Sequence, residues 1–108
     1  MKPNETIWKR IAFAGAFLVL AVCSVAIWQK HSFCRGWADH HASRANELRS
    51  SAASPGLPLA EQKERLIAAD WHETISGKYA AVANRPWRAY PGAPLITPEE
   101  RQMVASKH

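Results

Sequence analysis

The chain has 108 residues, a formal net charge of +5 and five tryptophans, with 47% of its residues hydrophobic. A length of this order allows one small unit and excludes a multidomain enzyme. Beyond the pair Lys9-Arg10 the sequence holds no run of consecutive Lys or Arg, and it has no glycine–aromatic RNA-binding pattern, so its positive charge points away from nucleic acid.

The first element is apolar. Between Arg10 and Gln29 lie 18 residues without a charge, in the stretch KRIAFAGAFLVLAVCSVAIWQK. As a helix they cover about 27 Å, close to the hydrocarbon thickness of a bilayer. Their nine large aliphatic and phenylalanine side chains sum to about −3 to −5 kcal/mol of insertion free energy. Trp8 and Trp28 bracket the run, and Lys9, Arg10 and Lys30 close it with charge. A secretory signal with a cut after Ala26 is the competing reading. The apolar stretch, however, continues through Ile27 and Trp28 with no turn former ahead of the cut, and Val22 occupies the position where a lipoprotein box needs a small residue. The expectation is an uncleaved transmembrane helix over 11–28, preceded by a basic flank at 1–10 that includes Lys2. Lys and Arg near the two ends are balanced. The charges packed against the amino end favour a bacterial inner-membrane protein whose carboxyl side is exported.

Residues 29–84 are expected to form an extramembrane helical hairpin. Trp37, His41, Ala45, Leu48 and Ala52 recur every three or four residues, with Gly36 as a weak point between this segment and the span. Ser54-Pro55-Gly56 is turn chemistry, and Pro58 suits the first turn of a second helix over 59–84. Ile67, Trp71, Ile75, Tyr79 and Val82 mark the stripe of that helix. A turn centred near Ser54 sets Trp37 level with Trp71 and Leu48 level with Ala60. From 85 to 97 the prolines, with Trp87 and Tyr90 among them, predict a polyproline-like extended strip. Thr97-Pro98-Glu99-Glu100 then starts a short terminal helix: a cap, Pro at the first position and Glu three residues after the Thr. Its far end is expected to fray. The fold class is therefore all-α: a transmembrane helix, an antiparallel hairpin, and a proline-rich tail with a short helix over 85–108.

Catalytic signatures are missing. There is no CxxCH, no glycine-rich phosphate loop and no nucleophile elbow, so no enzymatic activity, cofactor or small-molecule substrate is expected. Cys23 reads as a small apolar residue of the span. Cys34 reads as a free thiol, with His31 one turn before it as a remote thiolate–imidazole pairing. Asp70 and Glu73 read as solvated helix charges. Five histidines raise the question of metal, sharpened by the echo ADHH at 38–41 and ADWH at 69–72. Asp and His are two apart in each copy and so face different ways on a helix. The expected register also sets His41 and His72 about 7.5 Å apart along the axis. Metal sites are therefore not expected, and a membrane-tethered histidine-based metal or haem carrier stands as the alternative function.

What remains is interaction chemistry. Residues 29–108 contain 17 large apolar side chains. Two helices with that supply bury little surface, so the hairpin is expected to be completed by membrane lipid, by other membrane-complex subunits or by a second copy. Trp71, Tyr79, Trp87, Arg88 and Tyr90 are the expected partner-binding residues, because Trp, Tyr and Arg dominate interface energetics and proline lowers the ordering cost. The segment WHETISGKYAAVANRPW, Trp71 to Trp87, resembles a pattern in short uncharacterised bacterial single-pass membrane proteins: His, then Lys-Tyr, then Ala-rich residues, then Pro-Trp. His72, Lys78, Tyr79, Pro86 and Trp87 carry the match. The resemblance implies a recurring structural module and no reaction. Together these readings predict an accessory or scaffolding subunit of a membrane-associated complex.

Overall fold

The computed structural model describes residues 3–92 and 94–108. Lys2 of the basic flank and residue 93 of the proline-rich strip lie outside them. The described residues form three helices, α1 over Pro3–Ala52, α2 over Leu59–Asn84 and α3 over Pro98–Lys107, and contain no strand. The longest dimension is 84 Å, most of it the 50-residue α1.

Gly36 does not interrupt α1. A helical glycine costs about 1 kcal/mol relative to alanine, too little to break a helix packed on both sides of it. The first part of α1 is long and apolar enough to cross a membrane and its apolar window is not buried: Phe13, Phe17, Leu18 and Leu20 are exposed. Its one hydroxyl within the apolar run is satisfied internally, Ser24 Oγ donating to the Leu20 carbonyl at 2.8 Å.

Beyond Lys30, α1 packs antiparallel to α2. The turn between them follows the local chemistry. The Leu57 amide closes onto the Ser54 carbonyl at 3.5 Å around Pro55 and Gly56, and Gly56 has φ +80°, the value that a type II turn requires at its third residue. Pro58 occupies the cap position of α2, one residue before its first turn. Gln62 holds this corner twice, through its amide to the Pro58 carbonyl and through Nε2 to the Leu57 carbonyl.

The seam is made mostly of small residues. Cys34, Ala38, Ala45 and Ala52 are buried on α1, and Ala69, Val82 and Ala83 on α2. With His41 and Leu48 the α1 set follows a 4-3-4-3-4 spacing; with His72, Ser76 and Tyr79 the α2 set follows 3-4-3-4. These are heptad positions, and small side chains there let the two backbones approach closely. The approach is close enough for Ser76 Oγ to donate to the Ala38 carbonyl at 2.7 Å, and for His31 Nδ1 to donate to the Ala83 carbonyl at 2.6 Å.

The register differs from the sequence expectation. His41 meets His72, Ala38 meets Ser76 and His31 meets Ala83, so paired positions add to about 114 rather than 108. Trp37 stacks with Tyr79 at 6.2 Å instead of lying level with Trp71. The cause is the choice of stripe. Ile67, Ala68 and Trp71 line a groove with Ala105 of α3, while Ala69 is buried in the seam.

α3 runs antiparallel to α2. Its start has the full capping box, with Thr97 Oγ1 accepting from the Glu100 amide and the Glu100 carboxylate accepting from the Thr97 amide. Val104 and the preceding Ile96 are buried against the rest of the fold. Glu100 pairs with Lys78 at 2.6 Å, and His108 Nε2 reaches Asp70 Oδ2 at 2.6 Å, so the terminal turn is held rather than frayed.

Candidate functional site

The side chains with functional chemistry collect in three places. The first is an aromatic and histidine ridge on the half of the hairpin nearest the apolar run of α1. Phe33, Trp37 and His40 project from one face of α1 at helical spacing and line a shallow cavity of about 350 Å³. Phe33 and Trp37 are edge to face at 6.3 Å; Trp37 stacks on Tyr79 and His41; Phe33 meets Tyr90 edge to face at 5.7 Å. Edge-to-face and offset arrangements are the favourable geometries for aromatic pairs. The ridge remains open: Phe33 is 50% exposed and Trp37 42%, while the seam behind them is alanine and cysteine.

The second is the histidine pair. His41 Nδ1 and His72 Nδ1 are 2.8 Å apart, with the rings stacked at 5.0 Å. A hydrogen bond between two ring nitrogens needs one to carry the proton and the other to accept it, so the pair cannot hold a proton on both Nδ1 atoms. Burial pushes the pKa of both rings below the ordinary imidazole value; the neighbouring His72 and His40 add to the effect at His41, and Arg44 and His40 add to it at His72. Both therefore stand neutral at pH 7. The sequence expectation that His41 and His72 lie apart is corrected here, and the shift in register is the reason. Among the described residues no group of three or more His, Cys, Asp or Glu side chains is arranged to hold a metal ion.

The third is a polar clamp at the other end of the hairpin. Arg49 on α1 reaches Asp70 at 3.1 Å and also bonds Glu73, both on α2, and Asp70 takes His108 from α3. Burial raises the Asp70 pKa, but the hydrogen bonds from His108 and Arg49 outweigh it and hold the carboxyl below its usual range. Asp70 and Glu73 are thus both paired with α1, Asp70 partly buried and Glu73 still exposed to solvent. The Cys34–His31 pairing does not form. His31 Nδ1 is committed to the Ala83 carbonyl, and burial pushes the Cys34 thiol up, partly offset by Lys30.

The five expected partner-binding residues are divided among these places. Tyr79 and Tyr90 belong to the ridge. Trp71 lies in the groove facing α3, about 20 Å along α2 from its end at Asn84. Trp87 and Arg88 belong to a turn beyond α2. There the strip departs from polyproline geometry: the Arg88 amide bonds the Arg85 carbonyl at 2.9 Å around Pro86 and Trp87. Trp87 is 79% exposed and makes no ring contact among the described residues, while Lys30 Nζ bonds the Arg88 carbonyl and sits 4.6 Å over the Tyr90 ring. Sequence reasoning missed Phe33 and Trp37 as ridge members. The signal was present in the spacing of Phe33, Trp37 and His40 at i, i+4 and i+7.

No protein family, curated protein or solved structure matches the chain.

Proposed function

We propose that this chain is a single-pass, membrane-anchored accessory or scaffolding subunit of a membrane-associated complex. The carrying observation is the distribution of side-chain size: alanine and cysteine inside the hairpin seam, Phe33 and Trp37 half-exposed on its flank. Aromatic side chains contribute most when buried, and a contiguous aromatic ridge rimmed by polar groups is the usual form of an interaction surface. The occupant is another subunit of the complex or a second copy of this chain. The uncovered apolar part of α1 supports the anchor, and its length fits one crossing. The cations packed against the amino end of the span, Lys9 and Arg10, support a bacterial inner-membrane protein with an exported carboxyl side. Arg85 and Arg88 do not alter that assignment, because the positive-inside rule counts cations within about 15–20 residues of the span in sequence.

Crosslinking in native membranes and purification in mild detergent test the reading. Co-purifying subunits or a defined dimer are expected, lost in the double variant Phe33→Ser, Trp37→Ser with membrane insertion intact. A monomer in both preparations contradicts it. A second reading has its own observation in the His41–His72 contact: a membrane-tethered histidine-based metal or haem carrier. Stoichiometric metal or haem, abolished by His41→Ala and His72→Ala, favours this second reading over the first.

A further inference from the structure

The two chain reversals of the extramembrane part use the same backbone chemistry and carry opposite side chains. At the far end, Ser54 to Leu57 close a turn around Pro55-Gly56. At the near end, Arg85 to Arg88 close one around Pro86-Trp87. The near turn is where the chain stops descending towards the apolar run and begins to climb. α2 runs down α1 until Ala83 meets His31, and α3 runs back up α2 from Glu100 beside Lys78 to His108 beside Asp70. Lys30, two residues past Trp28, fixes the depth of this turn by bonding the Arg88 carbonyl and covering the Tyr90 ring. Trp87 is thereby held near the level at which the apolar run ends, pointing away from protein.

Cations dominate at this level. Residues 28–38 and 83–97 contain Lys30, Arg35, Arg85 and Arg88 and no Asp or Glu, although Arg35 is paired at 3.5 Å with Asp39 one turn further up. Tryptophan concentrates at the headgroup boundary because its ring is amphipathic, and cations beside it are attracted to anionic lipid. We infer that the Arg85–Arg88 turn is a second lipid contact, with Trp87 seated in the interfacial layer and Arg85 and Arg88 on anionic headgroups. The contact rests on the anchoring of α1 and pins the foot of the hairpin to the bilayer at a second point.

The test uses the full chain in lipid vesicles free of other proteins, with Cys23→Ala and Cys34→Ala and one nitroxide label at a time at Leu20, Ser54 or Ala89. Collision rates with oxygen and with an aqueous nickel chelate report depth. In vesicles of mixed phosphatidylcholine and phosphatidylglycerol, the oxygen-to-nickel ratio at 89 is expected to lie several-fold above that at 54 and below that at 20. Trp87→Ser, or Arg85→Ser with Arg88→Ser, returns it to the value at 54. Pure phosphatidylcholine weakens the contact through the loss of its charge partners. If 20 is immersed while 89 matches 54, the lipid contact is wrong and the anchor stands; a change at 89 seen only in native membranes then assigns Trp87 to a protein partner. If 20 is itself aqueous, the anchor reading fails and takes the lipid contact with it. Should Cys34→Ala disturb the fold, the same labels in a background retaining the buried Cys34 give the same comparison.

Discussion

α1 is one helix with two kinds of surface. Over residues 11–28 its large side chains point outward with no protein around them, and Phe13 and Phe17 are among the most exposed apolar residues of the described chain. Over residues 33–52 the residues of α1 fully buried against α2 are small, and the large aromatic ones, Phe33 and Trp37, stand beside the seam. On the proposed anchoring, the contrast follows from what surrounds each part. Lipid rewards large apolar area on every side, whereas a neighbouring helix at close range rewards small residues on one stripe.

The largest expected effect comes from breaking the first part. Leu18→Arg with Leu20→Arg adds about 2.5–3.5 kcal/mol per substitution at the centre of the span, enough to cancel its whole insertion free energy. Membrane fractionation should then find the chain outside the carbonate-resistant pool. The second part breaks in the opposite way, by adding apolar volume. Ala45→Leu overfills the seam, and about 1–3 kcal/mol of hairpin stability should be lost in thermal melts followed by near-ultraviolet circular dichroism in mild detergent. Ser43→Leu, on the exposed side of the same helix, should leave the melting temperature within a degree or two.

Acidification sharpens the contrast, since the apolar span has no titratable carboxylate or imidazole while the hairpin seam contains two. The His41 and His72 pKa values are lower in the folded chain than their ordinary value of 6.5, so the unfolded chain takes up protons first as pH falls. Hairpin stability is full above about pH 6.5 and declines below it until the folded-state values are passed. His72→Gln should flatten that decline. Asp70 adds a separate loss at lower pH: its folded value lies below the ordinary 3.8, so its stabilisation is present above that value and disappears as pH falls through the folded one. The smallest expected effect is at the exposed side of the clamp, where Arg49→Met should cost less than about 1 kcal/mol.

Helix content and limits were largely legible in the sequence. The bounds of α2 follow from Pro58 and Pro86, and the start of α3 from Thr97-Pro98-Glu99-Glu100. The pairing of the helices was only partly legible from large apolar residues: Tyr79 and Val82 pack against Cys34, but Ile67 and Trp71 line the groove on the α3 side and leave that part of the seam to Ala69. An alanine reads the same in a sequence whether it is buried or exposed, so only the 4-3-4-3 recurrence of Cys34, Ala38, His41, Ala45 and Leu48 marks the seam. The displaced register then hid the His41–His72 contact, which depends on a shift of a few residues. Trp87 was legible as an exposed aromatic. Its height above the span was not, because that depends on Lys30 reaching across 58 positions of sequence.

Intact-mass analysis of the protein from carbonate-washed membranes tests the central claim most directly. A polypeptide that retains residues 11–28 in that fraction is the expected result. A chain trimmed near Ala26, recovered from the soluble fraction and melting cooperatively as a monomer, contradicts the account.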